Sequence, residues 1–181
     1  MKGKDHLLLG TGAGILTAAS IANNTPEAVA FATACAIGSI YPDIDLDNSM
    51  FGSKVPHLAG VINRTFGHRG FIHTPINAFL MSAVIFFISR AVVPDYALMI
   101  TAGFFMGFFI HLIQDTVTHR GIKWLYPLKI DFHLTNLSSD SFVCTIITLL
   151  LLALIWILYK KIPNLPNNYL SLIMKLTSLL P

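Results

Sequence analysis

The stretch TIITLLLLALIWILY lies inside a run from Phe142 to Tyr159 that contains no charged residue. A helix this apolar on every side has to face lipid or be wrapped in protein. Four more apolar segments precede it, at about Leu7 to Ala22, Glu27 to Tyr41, Pro75 to Val93 and Asp95 to Gln114. The chain is 54% hydrophobic and only 12% charged, about half the charge of an ordinary soluble domain. The pattern predicts an all-α, polytopic transmembrane bundle of about five spans. Residues 1–141 would form a four-helix membrane core, and 142–181 a fifth transmembrane helix with a short tail. Within that tail, YLSLIMKLTSLL is too short to span and reads as an interfacial helix.

Segments one and two fall slightly below span length and are rich in Gly and Ala, which suits close packing inside a bundle. Gly10, Gly14 and Ala18 put small residues on one helix face, and Gly103 and Gly107 repeat the spacing. GTGAG is helix packing rather than a phosphate loop, because no strand precedes it and no Lys-Ser/Thr follows. Lys2 and Lys4 before an apolar stretch, with Ser20-Ile21-Ala22 as a small-x-small site, leave a cleaved signal peptide as the alternative for segment one. Cys35 and Cys144 lie far apart inside apolar runs and read as inert packing residues. No basic stripe suited to nucleic acid is present.

Basic residues set the orientation. Lys2, Lys4, Lys54, Arg64, Arg69, Arg120, Lys123 and Lys129 fall on the side of the N-terminus and the two polar stretches, 42–74 and 115–141. Arg90, Lys160, Lys161 and Lys175 fall on the other. The excess places the N-terminus and both polar stretches in the cytoplasm.

On this map the histidines and aspartates converge. His6 precedes segment one, Asp43, Asp45 and Asp47 follow segment two, His68 and His73 precede segment three, and His111 and Asp115 end segment four. Alternating topology brings all of these to one membrane face. Ionisable groups at membrane depth are costly and point to function. His and carboxylate donors together suit a divalent ion, zinc first, with manganese or magnesium as alternatives. His111 and Asp115, four apart on a helix, share a face. Thr74-Pro75 reads as N-cap and first helical residue, which fixes His73 at the mouth of segment three. Asp43 and Asp45 would point the same way if that stretch is extended. DIDLDN is not a calcium loop, because Asn48 replaces the required Gly and Lys54 the bidentate Glu. The tripeptide HRG, at 68–70 and 119–121, sets Arg69 and Arg120 beside candidate ligands. Each is either a phosphate clamp or a headgroup contact.

PDID after the second segment, HRGFIHTP opening the third and GFFIHLIQDTVTHRG closing the fourth, with an early His before a Gly-rich segment, together resemble the YdjM-like family. That family comprises inner-membrane proteins labelled metal-dependent hydrolases and linked in name to LexA control. The resemblance covers about residues 1–130. It implies a bacterial inner-membrane location and a metal-dependent hydrolase activity. The matching metal positions are His6, Asp43, Asp45, His68, His73, His111 and Asp115. The arrangement is also similar to that of zinc-dependent phospholipase C enzymes. Thr74 and Ile72 depart from the HRGxTHS form, in which Ser and Thr stand at those places, and the histidines are intact.

The expected function is hydrolysis of a membrane lipid or phosphoester at the cytoplasmic headgroup level. Asp45 or Asp115 would serve as general base, and Arg69 and Arg120 as phosphate contacts. Metal transport or sensing, and a purely bundle-stabilising metal, are the competing readings. The far halves of segments one to four carry only Glu27, Arg90 and Asp95 at their edge, which counts against an ion pathway.

Overall fold

The computed structural model describes residues 1–160 apart from His68, Lys129, Asp140 and the Tyr159 side chain. The proposed tail helix and residues 161–181 fall outside the described residues. Within them the fold is built of helices, α1 (Gly3–Ile21), α2 (Thr25–Ile40), α3 (Pro56–Phe66), α4 (Pro75–Val92), α5 (Ala97–Thr116) and α6 (Phe142–Lys160), with 3-10 turns between α2 and α5 and an irregular stretch with two isolated β-bridges, Thr118 to Leu137 and Ile122 to Phe132, between α5 and α6. Each of the five apolar segments is a helix whose limits lie within a few residues of the sequence reading.

The helix starts are chemically encoded. Asn24 caps α2 by accepting from the Glu27 amide at 3.0 Å, and the Glu27 carboxylate reaches back to the Asn23 amide at 2.9 Å. Both exchanges satisfy amides that a helix start leaves unpaired. Thr74 caps α4 through Oγ1, which accepts from the Asn77 amide at 3.2 Å, with Pro75 as the first helical residue. That is the start expected of Thr74-Pro75.

α2 is clamped between α1 and α5 by backbone approach. A methyl group placed on Gly107 would lie 1.9 Å from the Cys35 carbonyl oxygen, and one on Gly103 would lie 2.3 Å from that of Phe31. From the other direction, one on Gly38 would lie 2.2 Å from the Phe104 carbonyl oxygen. On the α1 side, Gly10 faces Ser39 and Gly14 faces Cys35. The small-residue stripes noted in α1 and α5 therefore both serve α2. Phe31, Ala32 and Cys35 form one core, and Phe104, Phe108 and Leu112 with Ala78 of α4 form another. α6 leans on α1 through Ile155 and Trp156 against Leu16 and Ala19. Cys35 and Cys144 are buried free thiols.

One expectation is met in part and another needs correction. Among the described residues only Pro75–Val92 and Pro94–Thr116 are long and apolar enough to cross a membrane, with Phe142–Leu158 a shorter apolar helix. Five spans therefore do not follow from helix length and composition. α2 has 16 residues, and α1 carries Lys4, Asp5 and His6 in its first turns. Also, the polar stretch 42–74 is not simply a loop, since α3 occupies 11 residues of it. Pro56 at its start and Gly67 at its end, with φ +74°, were readable stop and start signals.

The clamp makes a size test. Gly107→Ala should destabilise the protein by about 1–3 kcal/mol, because neither the added carbon nor the Cys35 backbone can yield without parting α2 from α5. Gly60→Ala, in α3 with nothing within 4 Å of the added carbon, should be neutral or stabilising by roughly 0.5–1 kcal/mol. Thermal unfolding of the two variants in the same detergent checks the contrast.

Candidate metal centre

The cluster is assembled from four places. His6 comes from the first turns of α1, Asp43 and Asp45 from the 3-10 turn Tyr41–Asp45 after α2, His73 from the turn before α4, and His111 and Asp115 from the last turns of α5. The side chains of His6, Asp45, His73, His111 and Asp115 are at most 1% exposed, and Asp43 is 8% exposed. Two groups have ligand atoms all within 4.8 Å of one another: His6, His111 and Asp115, and Asp43, His73 and His111. One imidazole nitrogen offers one lone pair. The two groups therefore cannot hold separate ions through His111 Nε2.

The imidazoles are set for ligation by what their other nitrogens do. His111 Nδ1 lies 2.8 Å from the Ser39 carbonyl oxygen, which can only accept. Nδ1 therefore carries the hydrogen, and the Nε2 lone pair points inward. His6 Nδ1 meets Gln114 Oε1 at 3.1 Å. The Gln114 amide is turned that way because its Nε2 donates to the Asp5 carbonyl and to Thr148 Oγ1, both at 3.3 Å. Nε2 of His6 and Nε2 of His111 are both buried, and neither has a hydrogen-bond partner among the described residues. They sit 3.4 Å and 3.6 Å from the two Asp115 oxygens, and the rings stack 19° from parallel with centroids 3.8 Å apart. Buried nitrogens of this kind cost free energy unless something takes the lone pair. Inward-facing imidazole and carboxylate donors fit a divalent ion such as zinc.

Asp43 reaches the same space, with Oδ1 at 3.7 Å from His73 Nε2 and 3.8 Å from His111 Nε2. Burial pushes the Asp43 carboxyl up, but the imidazoles of His111, His73 and His6 outweigh it and hold the group below the usual carboxylate range. For His73, burial opposes the charge, and the carboxylates of Asp43, Asp45 and Asp115 around it overcome it, raising the group to about 9. Asp45 and Asp43 do not point the same way, because the chain is a 3-10 turn and not a strand. Asp45 lies behind His73, with Oδ2 3.4 Å from Nδ1. This is the place of a carboxylate that orients a ligating histidine.

Arg69 takes the left-handed backbone, φ 57°, which costs a non-glycine residue about 1–2 kcal/mol. Its contacts hold it there. The Arg69 amide donates to Asp45 Oδ2 at 3.1 Å, Nη1 donates to Thr118 Oγ1 at 2.9 Å, and Nη2 lies 2.8 Å from Asp115 Oδ1. The same Asp115 oxygen receives the Met1 ammonium at 2.5 Å. Cations thus gather at one Asp115 oxygen, and the other faces His111 and His73. Arg120 is exposed and, with Lys2, Lys4, Arg69 and Asp43, lines a cavity of about 640 Å³ over the cluster. His119 points away, its Nδ1 3.2 Å from the Leu137 carbonyl oxygen. Asp47 is exposed, and His68 falls outside the described residues.

Gln114 and Thr148 escaped the sequence reading. The available signal was Gln114 itself, an amide three residues from His111 in an otherwise apolar helix, where a polar side chain at membrane depth needs a partner.

The family described as YdjM inner membrane protein matches residues 1–178. The chain belongs to this family. The match runs well beyond the 130 or so residues that carry the motifs. The YdjM-family chain is 38% identical over 130 residues to the uncharacterized protein YvsG of Bacillus subtilis (strain 168), covering 72% of this chain and 76% of that protein. It is 29% identical over 113 residues to the inner membrane protein YdjM of Escherichia coli (strain K12), covering 58% of this chain and 56% of that protein. The Shigella flexneri inner membrane protein YdjM matches to the same extent. No solved structure matches the chain.

If the cluster holds a divalent ion and Gln114 fixes His6, then Gln114→Leu should weaken the binding of that ion roughly 10- to 100-fold while leaving the fold intact. Competition against a chromophoric chelator measures this. Unchanged affinity would remove His6 from the ligand set.

Proposed function

We propose that this YdjM-family protein is a metal-dependent hydrolase of a lipid or phosphoester at the cytoplasmic headgroup level. The observation that carries the reading is the pair of buried Nε2 atoms on His6 and His111, both aimed at Asp115 and both without a hydrogen-bond partner among the described residues. His6, Asp43, His73, His111 and Asp115 would hold the ion, zinc by the character of the donors. A divalent ion there supplies Lewis acidity and acidifies water near neutral pH.

The chain's own groups have separable tasks. Asp45 orients His73 from behind. Arg69 fixes Asp115 and ties it to Thr118, so it acts through its neighbours more than as a free clamp. Arg120, Lys2 and Lys4 line the cavity mouth and would meet a phosphate, with Arg120 offering a planar two-point contact. Asp43 stands on the boundary between cluster and cavity, where the scissile group would lie. Five spans, with the N-terminus and this cavity cytoplasmic, fit the proposal: α2 is short at 16 residues and α1 carries Lys4, Asp5 and His6 in its first turns, but their ends meet those of α4 and α5 at the cluster. Transport draws less support, because the ionisable residues at the far edge of segments one to four are Glu27, Arg90 and Asp95, remote in sequence from the ligands.

Asp115→Asn and Arg120→Ala should separate binding from chemistry. Asp115→Asn should lose most bound metal and activity together, as measured by elemental analysis of purified protein and by phosphate or acyl release from vesicles carrying a phospholipid panel. Arg120→Ala should keep its metal and lose about tenfold in turnover, equivalent to about 1.4 kcal/mol of transition-state stabilisation. A full metal load in Asp115→Asn overturns the centre, and an Arg120→Ala enzyme of normal turnover overturns the role of the cavity mouth.

A further inference from the structure

α3 has an apolar face that the protein does not cover. Of its 11 residues only Ala59 is buried, and Leu58 and Val61 are 50% and 60% exposed. At about 100° per residue, Val61, Leu58, Ile62, Phe66 and Ala59 fall on one arc, broken only by Thr65, whose hydroxyl is turned back to the Val61 carbonyl at 2.8 Å, with His57 and Arg64 beside it. Ala59 and the Asn63 amide, which donates to the Asp45 carbonyl at 2.9 Å, hold α3 to the protein. The rest of the apolar arc faces outward.

The second polar stretch does the same from another part of the chain. Ile122 and Phe132 exchange backbone hydrogen bonds at 3.1 Å and 2.9 Å, closing a small loop. At its base Trp124 stacks edge-on to Phe109 at 5.8 Å and donates Nε1–H to Thr116 Oγ1 at 2.9 Å. Its tip carries Leu125, Leu128 and Ile130, each at least half exposed. The two surfaces are continuous, since Phe66 of α3 meets Phe71 with ring centroids 5.5 Å apart, and Phe71 meets Tyr126 of the loop at 5.5 Å. Phe71 lies in the turn that opens α4, whose flank below carries exposed Phe79, Leu80 and Val84. The aromatic line therefore runs along the end of a membrane-crossing helix.

We propose that α3 and the loop 122–132 form an interfacial collar, sunk into the headgroup and upper acyl region of the leaflet on the cluster's side. The occupant is the bilayer itself, for three reasons. The aromatic line reaches the turn from which α4 starts, and α4 itself carries exposed Phe79, Leu80 and Val84. Tyr and Trp mark its level, as at membrane interfaces. Exposed Lys54 and Arg64 beside it match anionic headgroups. The collar rests on the membrane location of the family and not on the hydrolase reading. It would hold the polar cavity at headgroup depth, where a cytosolic loop would lift it clear.

The test uses full-length protein carrying single cysteines in place of Leu58, Val61 or Leu128. Asp47→Cys is the aqueous reference and Val84→Cys the lipid reference. Native Cys35 and Cys144 are buried, so unsubstituted protein gives the labelling blank. Each site takes an environment-sensitive fluorophore, and the protein is reconstituted into vesicles of phosphatidylethanolamine and phosphatidylglycerol. Positions 58, 61 and 128 should be quenched by lipids spin-labelled high on the acyl chain, and should be several-fold less accessible to iodide than position 47. Position 84 should respond best to lipids labelled deep in the chain. Iodide accessibility equal to that of position 47 overturns the collar. So does shielding from both quenchers, which would show that a second protein surface covers the arc. As a check without cysteine substitution, Trp124 fluorescence in Trp156→Phe protein should be quenched by shallow brominated lipid, and failure there also overturns the proposal.

Discussion

The centre depends on how close two helix backbones can come. Glycines 38, 103 and 107 let α2 and α5 touch without side chains between them. Only at that distance does the Ser39 carbonyl reach His111 Nδ1 at 2.8 Å, which fixes the imidazole's hydrogen on the outer nitrogen. The turn that leaves α2 four residues later then delivers Asp43 to the inner nitrogen. A bulkier seam would move a carbonyl, an imidazole and a carboxylate together, so residues that bear no donor of their own set the centre's dimensions.

Placing these groups out of water is expensive. Charges removed from solvent are tolerated when they are paired and hydrogen-bonded, and removal of one partner leaves the other uncompensated. Asp115 shows the arrangement in small compass, with Arg69 and the Met1 ammonium at one oxygen and His111 and His73 facing the other. The outer atoms of the imidazoles are engaged by a backbone carbonyl, an amide and a carboxylate. The inner atoms of His6 and His111 are left to one another and to Asp115. That asymmetry, satisfied outside and unsatisfied inside, is what lets the cluster hold a metal ion if one is bound.

Much of this was readable from residue order. Apolar run length located five helices. Alternation alone brought His6, Asp43, His73, His111 and Asp115 to one end, because helix ends that share a side of a bundle share it whatever the loops do. What failed to show was local backbone shape and partner choice. Asp43 and Asp45 would share a side only on an extended chain, and residue order did not show that Pro42 sits inside a 3-10 turn, which sends Asp45 behind His73. Arg69 looked free to clamp phosphate until its contacts with Asp115, Thr118 and Asp45 were seen, and nothing in HRG encodes those partners. α3 was hidden by its length: 11 residues with an apolar arc are too few for a span and read as part of a polar loop. The span count is met in part: α4 and α5 are long and apolar enough to cross a membrane, and α2, at 16 residues, is apolar but shorter.

His6 and Gln114, which hold each other at 3.1 Å, are 108 residues apart in the chain. At about 5–20 residues per second of synthesis, roughly 5–20 s separate their emergence from the ribosome. During that interval α1 carries a polar turn with no mate, and α4 enters the bilayer before α5 exists to receive His73. The order of birth therefore matters as much as the final contacts. α1 and α2 are made before α5, and only α5 brings His111, Gln114 and Asp115 to His6 and Asp43.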